Sequence, residues 1–217
     1  AEIERLTKEQ DALIVSIRRR ENLLSNENLI PIIRSANPEK VKGIANALIE
    51  GGAKILEVNV VNSEIYDIIN ELSEHATICA GGIITSIQAQ AAIDSGAKLL
   101  SSPIFQMNLV KFSKDKRVPY IPGTSTANEA YSAWKARIPL IKIYPISAMG
   151  GANYLKNLLR PMPFLNVIAQ GEVKLSQVKD YVNAGAVAVG VGRDLYEGYS
   201  YSEITQRIKT TLDELKG

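Results

Sequence analysis

A chain of 217 residues, 46% hydrophobic and 22% charged, carries enough apolar material for one sizeable folded core. Its 25 basic and 23 acidic side chains are interspersed and leave a net charge of +2, so nothing favours nucleic acid or a membrane surface as a partner. One cysteine (Cys79) and one histidine (His75) exclude an internal disulfide and disfavour a typical zinc or transition-metal site.

The first stretch, residues 1–28, is rich in Glu, Arg, Lys and Leu at helical spacing and reads as an extra N-terminal helix outside the main repeat. From Leu29 onward, short apolar runs alternate with longer amphipathic ones, as consecutive βα units do. The expected strands are Leu29–Arg34, Lys54–Val60, Ala76–Ala80, Lys98–Ser101, Val118–Ile121, Leu140–Ile143, Leu165–Ala169 and Val187–Gly190. Their near-continuous apolar character suits parallel strands buried on both faces. Three are introduced by Gly-Ala pairs, Gly52-Ala53, Gly96-Ala97 and Gly185-Ala186, where glycine ends the preceding helix in the left-handed conformation. Helices are expected over Pro38–Glu50, with Asn37 as cap, over Lys174–Asn183, and near Ser202–Lys216. Eight βα units without a dinucleotide fingerprint predict a (β/α)₈ TIM barrel over residues 29–217; an open doubly wound sheet is the rival. No apolar run is long enough to span a membrane and the start lacks a signal-peptide core, so a cytoplasmic protein is expected. A removed address segment stays open, because the chain begins at Ala1.

In a barrel the functional groups sit at the C-terminal ends of strands and in the following loops. Those positions are Arg34, Glu57, Asn59, Gly81, Gly82, Ser101, Ser102, Gly123, Lys142, Tyr144, Gln170, Gly171, Gly190, Gly192 and Arg193. Lys142 stands inside the apolar run Ile138–Pro145, where a charged ammonium faces a desolvation cost and a neutral amine would be a nucleophile. The alternative is a lysine stem in the core with its head snorkelling to water. Glu57, in Ile55–Val60, is equally anomalous, because carboxylates are seldom buried alone; a structural ion pair is its alternative role. An amine and a carboxylate meeting across a barrel mouth would supply the nucleophile and acid/base of an aldolase, with coupled titrations. Arg34 could take a substrate carboxylate or merely end its strand in solvent. Gly171 and the Gly190–Gly192 turn lie where barrels often bind phosphate, although short glycine pairs usually mark tight turns. Cys79 reads as a core residue, His75 as a surface helix end, and Tyr131 with Trp134 as packing.

Taken together, Ile33–Asn37, Gly51-Gly52-Ala53, Leu56-Glu57-Val58, Ala80-Gly81-Gly82, Ser102-Pro103, Ile121-Pro122-Gly123, Ile141–Pro145 and Ala188–Gly192 resemble one known family. It comprises the aldolases acting on 2-keto-3-deoxy-6-phosphogluconate and 2-keto-4-hydroxyglutarate. The resemblance implies a homotrimeric, cofactor-free and metal-independent class I aldolase that splits a 2-keto-4-hydroxy acid into pyruvate and an aldehyde. It puts the Schiff-base lysine at Lys142 and the acid/base at Glu57. It also implies that Arg34, Gly82, Pro103, Tyr144, Gly171, Gly192 and Arg193 line the substrate site.

Several positions depart from the family pattern, among them Val61, where other members carry an arginine that Arg34 could replace. The usual Gly-Ala-Gly-Thr is Cys79-Ala80-Gly81-Gly82, so a carboxylate-holding hydroxyl is missing. The threonine two residues past the glutamate is Asn59. The usual Pro-Thr-Gly-Gly is Ala169-Gln170-Gly171-Glu172, and Glu172 would repel a phosphate unless Arg193 offsets it. Lysine chemistry is therefore a firmer expectation than a phosphorylated substrate. Two other readings stand beside it: a barrel drifted into a non-catalytic binding or assembly role, and another barrel enzyme, such as an isomerase, acting on a phosphorylated small molecule.

Overall fold

The computed structural model describes residues 28–216. Of the expected N-terminal helix over residues 1–28, all but Asn28 lies outside the described residues. Strands are β1 (Leu29–Ile33), β2 (Ile55–Asn59), β3 (Thr77–Gly81), β4 (Leu99–Ser101), β5 (Tyr120–Ile121), β6 (Gly123–Thr124), β7 (Ile141–Ile143), β8 (Val167–Gln170) and β9 (Ala188–Val191). Helices are α1 (Pro38–Glu50), α2 (Ile65–Leu72), α3 (Ser86–Asp94), α4 (Met107–Lys116), α5 (Ala127–Lys135), α6 (Ile146–Met149), α7 (Gly151–Leu159), α8 (Val178–Asn183), α9 (Arg193–Tyr196) and α10 (Tyr201–Lys216).

All strand pairs are parallel, in the order β5-β4-β3-β2-β1-β9-β8-β7-β6. The two ends of that order, β5 and β6, are one run of chain split at Pro122. Proline has no N–H to donate to a ladder, so the run changes partner there. Tyr120 and Ile121 pair with β4, while Gly123 and Thr124 pair with β7. Pro122 still contributes its carbonyl, which accepts from Lys142 N at 2.9 Å. The sheet thus comes round on itself as a TIM barrel. The eight strands expected from sequence become nine pieces because of one residue.

Local signals fix the ends of several helices. Asn37 accepts from Lys40 N at 3.1 Å and Pro38 opens α1, as a cap followed by proline should. Thr85 with Gln88, and Thr126 with Glu129, form reciprocal capping boxes at α3 and α5. Gly52, Gly96 and Gly185 take φ of 101°, 97° and 107°, the left-handed stop that frees the chain to enter the next strand. The segment expected as one helix over Lys174–Asn183 begins instead with a 3₁₀ turn, Leu175–Gln177. There Leu175 N is held by Asp194 Oδ2 at 2.8 Å.

Apolar residues form two cores separated by the sheet. The larger lies between strands and helices and includes Ile33, Leu48, Leu56, Ile69 and Ile143. The smaller fills the barrel: Ile30, Ile55, Cys79, Leu99, Ile121, Leu140, Ile168 and Ala188, each in a different strand run or, for Leu140, just before it. Side chains alternate across a strand, and alternate strands of such a barrel share a layer. Two residues above Ile55, Leu99, Leu140 and Ala188 the same geometry brings Glu57, Ser101, Lys142 and Gly190 to one level. That layer is polar, and it closes the apolar interior towards the C-terminal ends of the strands.

Candidate active site

Lys142 sits in the middle of β7 and is 3% exposed, while Glu57 on β2 is 5% exposed. Lys142 Nζ crosses the barrel to stand 2.7 Å from Ser101 Oγ and 3.7 Å from Glu57 Oε1. The amine therefore does not snorkel out, and the anomalous pair of the sequence meets at the barrel axis. Ser101, at the end of β4, is fully buried. Gln170, at the end of β8, donates through Nε2 to the same Glu57 Oε1 at 3.2 Å. Both buried charges thus face each other, and each is hydrogen-bonded to a neutral neighbour, as their desolvation requires.

Small residues make this approach possible. A Cβ at Gly81 would lie 2.7 Å from Glu57 Oε1, and one at Gly190 would lie 2.6 Å from Ile32 Cδ1 and 3.1 Å from Gln170 Oε1. Gly190 yields its place in the polar layer to the Gln170 and Ile32 side chains. Cys79 lies one level below, register-paired with Glu57. Burial pushes its thiol well up, with the Glu57 charge adding to the effect and Lys142 opposing it.

Around this centre lie the other expected residues. The Tyr144 ring is half-buried, with its centroid 5.7 Å from Lys142 Nζ. Arg34 is exposed at the end of β1, its backbone N–H donating to the Tyr196 hydroxyl at 3.3 Å. Gly82 has φ 74° and faces Asn59 Oδ1, which would stand 3.2 Å from a Cβ there. The Pro103 carbonyl packs so closely on Gly123 that a Cβ would approach it to 2.2 Å. Gly171 has φ 115° and packs on Pro145 beyond β8. Gly192 precedes the short helix α9 beyond β9. Glu172 and Arg193 face each other at 3.6 Å, with side chains 79% and 68% exposed.

Ser101 and Gln170 had no role on sequence grounds beyond standing at strand ends. Their signal was position alone, shared with the other strand-end residues named from sequence. His75 is exposed beyond α2, and Trp134 packs between Tyr131 and Phe164, at 5.8 and 4.6 Å between ring centroids. A hollow of about 510 Å³ lies outside the barrel, lined by Asn37, Lys40, Gly43 and Tyr201 among others. It contains no residue of the polar layer, and the chemistry points to the barrel mouth instead. Among the described residues no helix is long and apolar enough to cross a membrane.

An amine and a carboxylate buried together in a barrel mouth are the parts of a Schiff-base lyase. The family model for KDPG and KHG aldolase matches residues 20–210. The chain belongs to that family. Membership makes it an aldolase, a lyase that breaks a carbon–carbon bond. It is 26% identical over 196 residues to the 2-dehydro-3-deoxy-phosphogluconate aldolase of Haemophilus influenzae, covering 87% of this chain and 92% of that protein. The Treponema pallidum aldolase of the same name is 30% identical over 162 residues, covering 73% of this chain and 77% of its own. Among solved structures, the KDPG aldolase of Legionella pneumophila, with pyruvate captured as a covalent carbinolamine, has a TM-score of 0.80 at 22% identity. The likeness covers 88% of this chain and 97% of that one.

Proposed function

We propose that this aldolase cleaves a 2-keto-4-hydroxy acid to pyruvate and an aldehyde through a Schiff base on Lys142, with Glu57 as acid/base. The observation that carries the assignment is the buried Lys142–Glu57 pair at 3.7 Å. The Lys142 ammonium first yields a proton to Glu57, the resulting amine adds to the C2 carbonyl, and Glu57 gives that proton to the departing water. The protonated imine then draws electrons from the C3–C4 bond while Glu57, through water, takes the 4-hydroxyl proton. The same carboxyl returns a proton to the enamine, and hydrolysis releases pyruvate. Tyr144 would pack on the keto acid, Arg34 would meet its carboxylate, and Gly82 and Pro103 would bound the pyruvyl end.

The substrate favoured at the far end is unphosphorylated, of the 2-keto-4-hydroxyglutarate type. Glu172 brings a carboxylate to the loop formed by Gly171, Gly192 and Arg193, and it already engages the Arg193 charge. A homotrimer working in the cytoplasm is the expected context, to be checked by sedimentation and by localisation of the tagged full chain.

Borohydride trapping with pyruvate tests the chemistry. The wild-type protein should gain a reduced pyruvyl adduct at Lys142, and Lys142→Met should gain none. A wild-type protein left unmodified across about pH 6–9, where such an amine must react, would favour the non-catalytic barrel. Glu172→Gly tests the substrate end, because glycine accepts the φ of 53° there. It should raise inhibition by inorganic phosphate. Unchanged inhibition would remove Glu172 as the determinant.

A further inference from the structure

We propose that Ser101 is a third catalytic residue, the hydroxyl that moves a proton between the Lys142 nitrogen and the substrate oxygen as the first covalent intermediate forms. The inference rests on Lys142 being the nucleophile and goes beyond it by assigning the proton transfer on nitrogen to a group other than Glu57.

Geometry separates the two partners of the amine. Ser101 Oγ is at hydrogen-bond distance, 2.7 Å, whereas Glu57 Oε1 at 3.7 Å lies beyond it. Glu57 Oε1 is also occupied by the Gln170 amide at 3.2 Å. A carboxylate at that range reaches nitrogen only through a bridging atom or a movement, while the serine is already in place. Ser101 is fully buried, so bulk water does not compete for its hydroxyl. Among the described residues, its only hydrogen-bond partner through the side chain is Lys142. A hydroxyl both donates and accepts, which a relay requires and neither a carboxylate nor an ammonium alone provides.

The step balances without any further reagent. With the ammonium proton of Lys142 already on Glu57, the amine lone pair forms the N–C2 bond and the C2=O π pair moves onto oxygen, leaving a positive nitrogen and an alkoxide. The surplus N–H proton passes to Ser101 Oγ as the serine's own hydroxyl proton passes to the alkoxide. The product is a neutral carbinolamine, and Ser101 ends as it began. Glu57 is thereby left free for the later loss of water and for the C–C cleavage.

Ser101→Thr and Ser101→Val form the decisive comparison, because their side chains have the same shape and only one keeps the hydroxyl. The rate of borohydride-trappable adduct formation with pyruvate is read separately from cleavage, together with thermal midpoints and a proton inventory in mixed light and heavy water. Ser101→Val, and Ser101→Ala as a smaller control, should form adduct about a hundredfold more slowly than Ser101→Thr, the scale of one positioned proton-transfer group. Thr and Val should unfold at similar temperatures, and the curved inventory of the wild type should become linear in Val. Equal adduct rates in Thr and Val would overturn the proposal, as would a loss in Val matched by an equal loss in Thr. If the wild type itself forms no adduct at Lys142, the Schiff-base reading fails instead, so the two failures are told apart.

Discussion

Replacing Lys142 by methionine, Glu57 by glutamine, and then both together measures how strongly the central pair is coupled. At 3.7 Å, two unit charges attract by about 4.5 kcal/mol for an effective dielectric of about 20. Part of this repays desolvation, since both groups are at most 6% exposed. Removing one partner strands the other charge in the barrel, at a cost of about 3 kcal/mol or somewhat more. Ser101 and Gln170 soften each loss by keeping one hydrogen bond to the group that remains. The double variant strands neither charge, so it should cost far less than the sum, with a coupling energy of about 3 kcal/mol. Urea unfolding of the four proteins provides the cycle, with constant m as evidence that the folded state is the same in each. Each single variant should also melt about 6–12 °C below the wild type, the shift expected of about 3 kcal/mol in a domain of this size. Costs that add to within about 0.5 kcal/mol would mean that the pair is not coupled, and the electrostatic account of the site would fall.

Two glycine substitutions should separate stability from activity. Gly123→Ala drives a Cβ to 2.2 Å from the Pro103 carbonyl, a backbone atom that no rotamer can move, and should cost about 3 kcal/mol or more in urea unfolding. Gly190→Ala meets only the side chains of Ile32 and Gln170, which can turn aside. It should lose less stability but more kcat, by displacing Gln170 from Glu57, and the reverse order would contradict the layer geometry. Thr126→Ala removes a helix cap and should cost about 1 kcal/mol. The backbone N–H groups of Ser125, then Thr126, hold the Glu129 carboxyl below its ordinary value of 4.5. That contribution is present above the ordinary value and is lost as pH falls through the lowered one. The stability gap between the wild type and Glu129→Ala should therefore narrow from pH 7 to pH 3, and a gap that widens would reverse the assignment. Cys79, buried and with its thiol pushed up, should resist a disulfide reagent in the native protein and react at once in urea. Rapid native labelling would show that the barrel interior opens.

The alternation of βα units, the glycine stops at Gly52, Gly96 and Gly185, and the oddity of Lys142 and Glu57 were all legible in the chain itself. Each depends on neighbours within a few residues: an apolar run, a left-handed stop, or a charge among hydrophobes. The break at Pro122 was visible as a proline, but its effect was not. Whether a proline ends a strand or hands it from one partner to another depends on which strands stand on either side. Ser101 and Gln170 were harder still. In strands buried on both faces no polar alternation marks which residues face the barrel axis. The stagger of a closed barrel then decides which inward residues of different strands share a level. Ser101 and Lys142 are 41 positions apart in the chain, and Gln170 and Glu57 are 113. Local patterning named the amine and the acid, and ring closure alone chose the hydroxyl and the amide that hold them.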